Sequence, residues 1–348
     1  MALFLLAKCF FLALPASLGT MREQEAWVNH SNIFPISSIQ SQERSLKIGN
    51  SAQCTSNCCK YLNRRFLSGS EALLQKATML YTFPGSGNTW MRLLVEYATG
   101  IFTGSIYNDS TLIDVLPGEK VCNDRVSLIK VHPVQYPIDM LIGKGHEHLG
   151  HRNKCRRGGI SNFTRAVLLV RNPFDSIWSE YERKSSAHHD HAQLISEKDF
   201  DWSEWESTAI RLSREYERMW LQDYHTIDIE LKVSDVLYLR YEDLVNSKRR
   251  FKVLQQTASF LNLTTSDDRL KCAFSLADDP VVHRPKATPD SEASVTSAGK
   301  GRVQSVDPMT KDGAYTRRIV CKMWKIFGNV ASGHSYSCWK DIDCSRHN

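Results

Sequence analysis

Apolar runs alternate with helical patterns from Thr78 onward. Four runs predict strands: TMLYTF, VSLIKVH, RAVLLVRN and DVLYLRYED. The helical patterns cover residues 89–98, 173–184, 202–223, 248–261 and, near the end of the chain, 315–327. The first of these has its apolar side chains on one face, at Trp90, Leu93, Leu94 and Tyr97. Near-continuously apolar strands that alternate with helices predict an α/β fold with a parallel sheet covered on both faces.

The segments before and after this alternation differ from it in composition. Residues 1–19 are apolar apart from Lys8, which predicts a signal peptide or a signal-anchor. The run barely reaches the ~17 residues that a spanning helix needs, and Lys8 favours cleavage. Residues 20–75 are polar and predict a stem or linker that ends in a cysteine cluster. The main domain is predicted over 78–330, followed by a cysteine-containing tail at 331–348.

Composition limits the kinds of partner. The net charge of +6 on 348 residues fits an anionic substrate and falls short of a nucleic-acid-binding footprint. Nine of the ten cysteines lie beyond the leader, which predicts disulfides in an oxidising lumen and leaves one thiol over. Their spacing is not that of a zinc finger, so no metal site is predicted. Four glycosylation sequons begin at Asn29, Asn108, Asn162 and Asn262.

A glycine-rich turn, PGSGNT, lies between the first predicted strand and helix. The first amides of a helix have no internal acceptors, so such a turn is suited to an anion. The lysine of the nucleotide triphosphatase loop is missing, and Trp90 stands where the dinucleotide fingerprint needs its third glycine. A turn without a ligand is the alternative.

Four motifs in the same order carry a resemblance to a known family. They are TFPGSGNTW, LIKVHP, LLVRNPFDSIWSEY and YLRYEDL. From about Thr78 to Trp324 the chain resembles the sulfotransferases that use 3′-phosphoadenosine 5′-phosphosulfate (PAPS). Its glycine-containing loop is most similar to that of the WSC domain-containing sulfotransferases. The resemblance implies a three-layer, P-loop-like parallel sheet and transfer of a sulfuryl group from PAPS to a hydroxyl.

The resemblance also implies roles for individual residues. The turn would cradle the 5′-phosphosulfate, Arg171 and Ser179 would hold the 3′-phosphate, and a late basic loop would close over it. The implied cofactor-binding set is Gly85, Ser86, Gly87, Asn88, Thr89, Trp90, Arg171, Ser179, Lys300 and Arg302. The implied catalytic residues are His132, as general base, and Lys130.

One departure from the family pattern affects the expected activity. Many members carry a catalytic lysine where this chain has Gly85. Lys130 and Arg92 are the two cations that could replace it, and Lys130 is favoured because it lies beside the proposed base. The alternatives are an inactive relative that serves as a binding module and, against the missing lysine, a P-loop phosphotransferase. A histidine cluster at 188–191 could suggest a metal, but its polar context favours a solvated loop.

The expected setting follows from the leader and the cysteines. We expect a chain of the secretory pathway that is either anchored in the Golgi lumen or secreted. Its expected partner is a hydroxyl acceptor, a glycan, and no nucleic acid. The sequence predicts no oligomeric state.

Overall fold

Five parallel strands form one sheet in this chain. The computed structural model describes residues 57–74, 76–107, 109–133, 138–142, 163–185, 201–278, 317–333 and Cys344. The strands are β1 Thr78–Thr82, β2 Gly104–Ser105, β3 Ile129–Val131, β4 Arg165–Val170 and β5 Val236–Arg240. All pairs are parallel, and the order is β2-β3-β1-β4-β5. The turn after β1 therefore leaves the sheet between the ends of β3 and β4, where open parallel sheets bind ligands.

Helices of the described residues lie on both faces of the sheet. Those before β4 are α1 Gly69–Leu74, α2 Asn88–Thr99 and α3 Ile138–Leu141. Between β4 and β5 lie α4 Pro173–Ser185, α5 Trp202–Arg218 and α6 His225–Glu230, with a π-helical turn, Met219–Tyr224, joining the last two. After β5 follow α7 Tyr241–Val245, α8 Arg250–Phe260, α9 Asp267–Asp278 and α10 Arg317–Gly333. Short 3₁₀ turns are Cys59–Tyr61, Ser110–Leu112, Pro117–Lys120 and Val233–Asp235.

Alternate residues of the central strands face two hydrophobic clusters. In β1, Met79 and Tyr81 belong to one cluster and Leu80 to the other. Helices α4, α5 and α10 cover the first cluster, and α2, α8 and α9 cover the second. Because both faces of the sheet are covered, every residue of β1 and β4 is buried.

The predicted parallel α/β sheet is confirmed, but several boundaries differ from the sequence pattern. The strand predicted through DVLYLRYED is wrong in its second half, because Tyr241 begins helix α7. The helix predicted over 202–223 is α-helical only to Arg218 and continues as the π turn. Helix α9, which packs against α2, is absent from the predicted elements. Among the described residues no helix is both long and apolar enough to cross a membrane.

Disulfide bonds tie distant parts of the chain together. Two disulfide bonds, Cys58–Cys272 and Cys321–Cys344, have both cysteines among the described residues. Cys59 and Cys122 are also disulfide-bonded. The first bond spans 214 residues and fastens the segment before α1 to α9. Leu62 and Leu67 of that segment are buried, so the end of the predicted linker packs as part of the folded unit. The prediction of disulfides from the cysteine content is confirmed.

Candidate active site at the carboxyl edge of the sheet

The turn after β1 brings backbone amides to the carboxyl edge of the sheet. Gly85 and Gly87 have φ angles of 79° and 88°, a region that glycine enters without steric penalty. Gly87 caps α2 and provides no side-chain cap hydrogen bond. The first amides of α2, at Asn88 and Thr89, have no acceptor within the helix and can donate to an anion.

Gly85 packs directly against helix α4. A Cβ at this position would lie 2.2 Å from the carbonyl oxygen of Ser176 and 3.0 Å from the amide nitrogen of Glu180. A lysine at position 85 is therefore incompatible with this arrangement of the turn. The hydroxyl of Ser86 lies 3.2 Å from that of Ser176, and its amide donates to the Phe83 carbonyl at 3.2 Å. Ser86 thus uses both groups to shape the turn.

Arg171 follows β4 and lies beside the turn. Its Nη1 donates to the Gly85 carbonyl at 2.7 Å and to the Ser179 hydroxyl at 3.1 Å. The eight-residue spacing works because Ser179 lies on α4, which begins two residues after Arg171. The Nε of Arg171 is buried and has no hydrogen-bond partner in the described part of the chain. A buried guanidinium donor without a partner fits an anionic ligand at this position.

A pair of aromatic rings borders Arg171. The ring of Tyr241 lies 4.5 Å from the Arg171 guanidinium carbon and, between centroids, 5.7 Å from the Trp90 ring. A Cβ on Gly87 would come within 2.6 Å of the Tyr241 ring, so this contact needs glycine. The indole of Trp90 is fixed by a 2.9 Å hydrogen bond to Asp278. The two rings are inclined by 60° to each other and are partly exposed next to a cation, a setting that suits a planar aromatic ligand.

The end of β3 holds His132 next to the turn. Its Nδ1 lies 2.8 Å from the Thr82 carbonyl oxygen and 3.3 Å from the Thr82 hydroxyl. Since a carbonyl can only accept, we assign the proton to Nδ1 and a lone pair to Nε2. The Thr82 hydroxyl accepts from the side-chain amide of Asn88 at 3.1 Å. The last residue of β1 therefore sets the tautomer that a general base needs.

Both titratable groups at the end of β3 have lowered pKa values. Burial lowers the pKa of Lys130 to about 8, although the Glu119 carboxylate acts to raise it. Enclosure by the protein, reinforced by the charge of Lys130, lowers the pKa of His132 to about 3. At neutral pH the imidazole is neutral and the ammonium is mostly charged. This pair can accept a hydroxyl proton and stabilise a developing negative charge.

Arg92, the other cation considered for the place of the loop lysine, is engaged elsewhere. It is fully buried in an ion pair with Glu119, and its Nε donates to the Thr103 hydroxyl at 2.9 Å. Arg92 therefore fastens α2 to the chain that follows it. Of the two cations, Lys130 is the one on the strand that carries His132.

Some predicted residues lie outside the described part of the chain. These are Lys300 and Arg302 of the late basic loop and the histidines at 188, 189 and 191. Within the described ranges, no group of three or more His, Cys, Asp or Glu residues could hold a metal ion.

Three residues that the sequence did not single out belong to the site. Each follows the last pair of a strand ladder: Thr82 comes after the Tyr81–Val131 pair, Tyr107 after the Ser105–Lys130 pair and Tyr241 after the Val170–Arg240 pair. The register of the sheet would have identified these residues as neighbours of the site, because each lies at the end of a strand or just after it. Register depends on contacts between distant segments, so the isolated motifs do not contain it.

The chain is similar to known proteins over more than half of its length. Residues 75–278 match the family model described as the sulfotransferase domain. A WSCD family member of Drosophila pseudoobscura pseudoobscura is 32% identical over 212 residues, which is 60% of this chain and 57% of the relative. A WSCD family member of Drosophila melanogaster is 32% identical over 202 residues, 58% of this chain and 55% of the relative. The chain thus matches little more than half the length of these relatives.

Similar solved structures include a mouse enzyme. Mouse sulfotransferase SULT7A1 complexed with PAP aligns with a TM-score of 0.46 at 14% identity, over 76% of this chain and 88% of that chain.

Proposed function

This chain belongs to the sulfotransferase domain family, and from that premise we propose that it transfers a sulfuryl group from PAPS to a hydroxyl of a glycan in the secretory pathway. One observation carries the proposal. A glycine-rich turn suited to an anion and a neutral histidine beside a buried lysine lie at neighbouring strand ends, β1 and β3.

The residues of the turn and of β4 fit the sulfuryl donor. The amides of Asn88 and Thr89 would hold its 5′-phosphosulfate, and Arg171 with Ser179 would hold its 3′-phosphate. The buried Nε of Arg171 supports this, since it has no partner in the described residues. Trp90 and Tyr241 would face its planar base. When bound, PAPS supplies the sulfuryl group and a bisphosphate leaving group.

The residues at the end of β3 fit the remaining tasks. Like phosphoryl transfer, sulfuryl transfer depends mainly on positioning and on stabilising charge at the oxygens. The Nε2 of His132 would accept the proton that the acceptor hydroxyl loses. Lys130 would neutralise the charge that develops on the leaving oxygen, the task of the missing loop lysine. The contact of Gly85 with Ser176 supports this assignment, since it excludes a lysine from the turn.

The proposed compartment is the Golgi lumen or the exterior of the cell. Disulfides persist in oxidising compartments and are rare in the cytosol, and this chain contains the Cys58–Cys272 and Cys321–Cys344 bonds. The apolar leader and the four sequons agree with the same route. Glycans supply hydroxyl acceptors in that lumen.

A binding measurement tests the donor site without knowledge of the acceptor. Adenosine 3′,5′-bisphosphate should stabilise the full chain against heat, by about 2.7 kcal/mol at a hundredfold excess over its Kd. ATP should stabilise it much less. Replacing Arg171 by Ala should weaken binding of the bisphosphate by about ten- to a hundredfold, through loss of charge-assisted hydrogen bonds. An equal shift with ATP, or full affinity in the folded Arg171→Ala variant, would contradict the donor site.

A matched control separates this effect from loss of a surface charge. Arg211 forms a solvent-exposed ion pair with Glu215 on α5. Arg211→Ala should bind the bisphosphate with wild-type affinity.

An inactive relative that only binds the bisphosphate is the second candidate function. The glycine at position 85 favours it, because the turn itself carries no catalytic cation. The two functions separate in one assay, release of bisphosphate from PAPS over a panel of glycan, lipid and tyrosine-peptide acceptors. Binding without turnover across that panel would favour the binding module, and turnover would favour the enzyme.

A further inference from the structure

Tyr107 contacts both proposed catalytic residues from the neighbouring strand. It comes two residues after Ser105 of β2, which pairs with Lys130. Its hydroxyl accepts from the backbone amide of His132 at 3.0 Å. Its ring stacks on the imidazole, with centroids 5.7 Å apart and planes inclined by 28°. The Lys130 Nζ lies over the same ring, 5.4 Å from its centroid.

The Tyr107 hydroxyl takes the place of a missing ladder hydrogen bond. Strand β2 has only two residues, and the amide of Ile106 still donates to the Lys130 carbonyl at 3.2 Å. In a parallel ladder the next donor on β3 is the amide of His132. The backbone of β2 does not reach it, and the Tyr107 side chain accepts from it instead. A side chain thus continues the sheet beyond the last residue of the strand.

We propose that Tyr107 is a positioning residue that aligns Lys130 and His132 for the reaction. The proposal rests on the proposed function of that pair. Thr82 on β1 fixes the imidazole through Nδ1, while Tyr107 on the other side fixes the main chain and the plane of the ring. The aromatic face also favours the charged form of an ammonium group above it. Tyr107 itself transfers no proton and touches no reacting atom.

Two substitutions separate the hydroxyl from the ring. Tyr107→Phe keeps the ring, so the Lys130 titration should stay at its wild-type midpoint while exchange of the His132 amide proton becomes faster. Tyr107→Leu removes the aromatic face, so the Lys130 midpoint should fall by about half a pH unit. Both readouts come from NMR of the full chain, with lysine labelled at Cε and the Lys130 signal identified by its loss in Lys130→Arg.

The titration of Lys130 has other contributors that must stay unchanged. Glu119 and Asp109 act to raise its pKa, whereas Arg92 and Arg183 act to lower it. None of them is altered in the two variants. A matched control is Tyr61→Leu, because Lys60 Nζ lies 4.9 Å from the centroid of the Tyr61 ring, against the other hydrophobic cluster. Tyr61→Leu should leave the signals of Lys130 and His132 unchanged.

The outcomes separate this inference from the proposed function. Unchanged amide exchange in Tyr107→Phe, or a Lys130 midpoint that stays or rises in Tyr107→Leu, would overturn the positioning role, whatever the enzyme does. A lower melting temperature without those local changes would also overturn it, since that result indicates packing alone. With an active wild type, both variants should lower kcat severalfold and leave KM nearly unchanged. An inactive wild type would refute the proposed function, and the NMR readouts would still decide the role of Tyr107.

Discussion

The turn after β1 and the end of β3 lie at the same edge of the sheet, but different physical properties define them. The turn depends on backbone conformation: Gly85 and Gly87 have positive φ, and neither has room for a Cβ. The end of β3 depends on the surroundings of two side chains, Lys130 and His132, whose pKa values are lowered to about 8 and about 3. One half of the site is defined by shape and the other by charge.

This difference explains how a family feature can be missing from its usual position. The shape of the turn leaves no space for a lysine at position 85, because helix α4 occupies it at Ser176. A cation is still present at the same edge of the sheet, on β3. The absence of lysine from the turn therefore argues against sulfuryl transfer only if Lys130 does not take its place.

Replacing His132 by Ala should have the largest effect. General-base catalysis contributes about a hundred- to ten-thousandfold to turnover. The affinity for adenosine 3′,5′-bisphosphate should not change, since we propose that His132 contacts the acceptor and not the donor. The measurement is bisphosphate release from PAPS, with His225→Ala as an exposed control at the start of α6. Wild-type turnover in His132→Ala would show that the base lies elsewhere.

The next largest effect is expected from Lys130→Ala. This variant should turn over about a hundred- to thousandfold more slowly and should keep its affinity for adenosine 3′,5′-bisphosphate. The pH dependence gives an independent check. Because Lys130 is proposed to act as an ammonium group, the wild-type rate should fall as pH rises through about 8. Because the pKa of His132 is lowered to about 3, protonation of the base should cause no fall between pH 6 and 7.

Lys130→Arg sharpens the same test. An arginine keeps its charge far above pH 8, so the alkaline fall should disappear from whatever activity that variant retains. The same alkaline limit in Lys130→Arg would assign it to another group.

In the turn, Gly85→Ala tests shape rather than charge. We expect a loss of about 2–4 kcal/mol in the free energy of unfolding, from the positive φ and the overlap with the Ser176 carbonyl. Thermal unfolding measures it. Gly69→Ala is the matched control, since a Cβ there meets no atom within 4 Å. Equal stability of the two variants would mean that the turn relaxes away from α4.

The sheet and the turn could be predicted from the sequence because local patterns specify them. Strands β1 and β4 are buried on both faces and read as continuous apolar runs. The Gly-Ser-Gly-Asn-Thr turn follows β1 directly. Neither helix α9 nor its disulfide bond was predicted. The bond was missed because Cys272 is joined to a cysteine 214 residues away. Connectivity over such a distance cannot be deduced from cysteine spacing.

The site was predictable as residue types but not as contacts. Arg171, Lys130 and His132 follow or end apolar runs, which predicts that they lie at the carboxyl edge of a parallel sheet. The positions of Tyr107 and Tyr241 depend on which strands are neighbours and in which register. Those pairings involve residues 25 and 70 positions apart (Tyr107 to His132, and Val170 to Arg240). Motifs within one segment hold no information about them.

The smallest effect is expected from Ser179→Ala, in the half of the site that we propose binds the donor. The Ser179 hydroxyl accepts one hydrogen bond from Arg171, at 3.1 Å. Arg171 keeps its bond to the Gly85 carbonyl and its contact with Tyr241, so it stays in place when that hydroxyl is removed. Loss of one such bond costs about 0.5–1.5 kcal/mol, a weakening of roughly two- to tenfold in bisphosphate affinity by calorimetry.

The control for Ser179→Ala is Ser213→Ala, whose hydroxyl bonds the Ala209 carbonyl inside α5 at 2.7 Å. That variant should lose stability only and keep full bisphosphate affinity. If Ser179→Ala loses as much affinity as Arg171→Ala, Arg171 depends on the serine for its position. If it loses none, Arg171 holds the anion without the serine. The predicted intermediate loss corresponds to a serine that adds one hydrogen bond to the anion beside a cation which the backbone of the turn already holds, as expected of a site defined by shape.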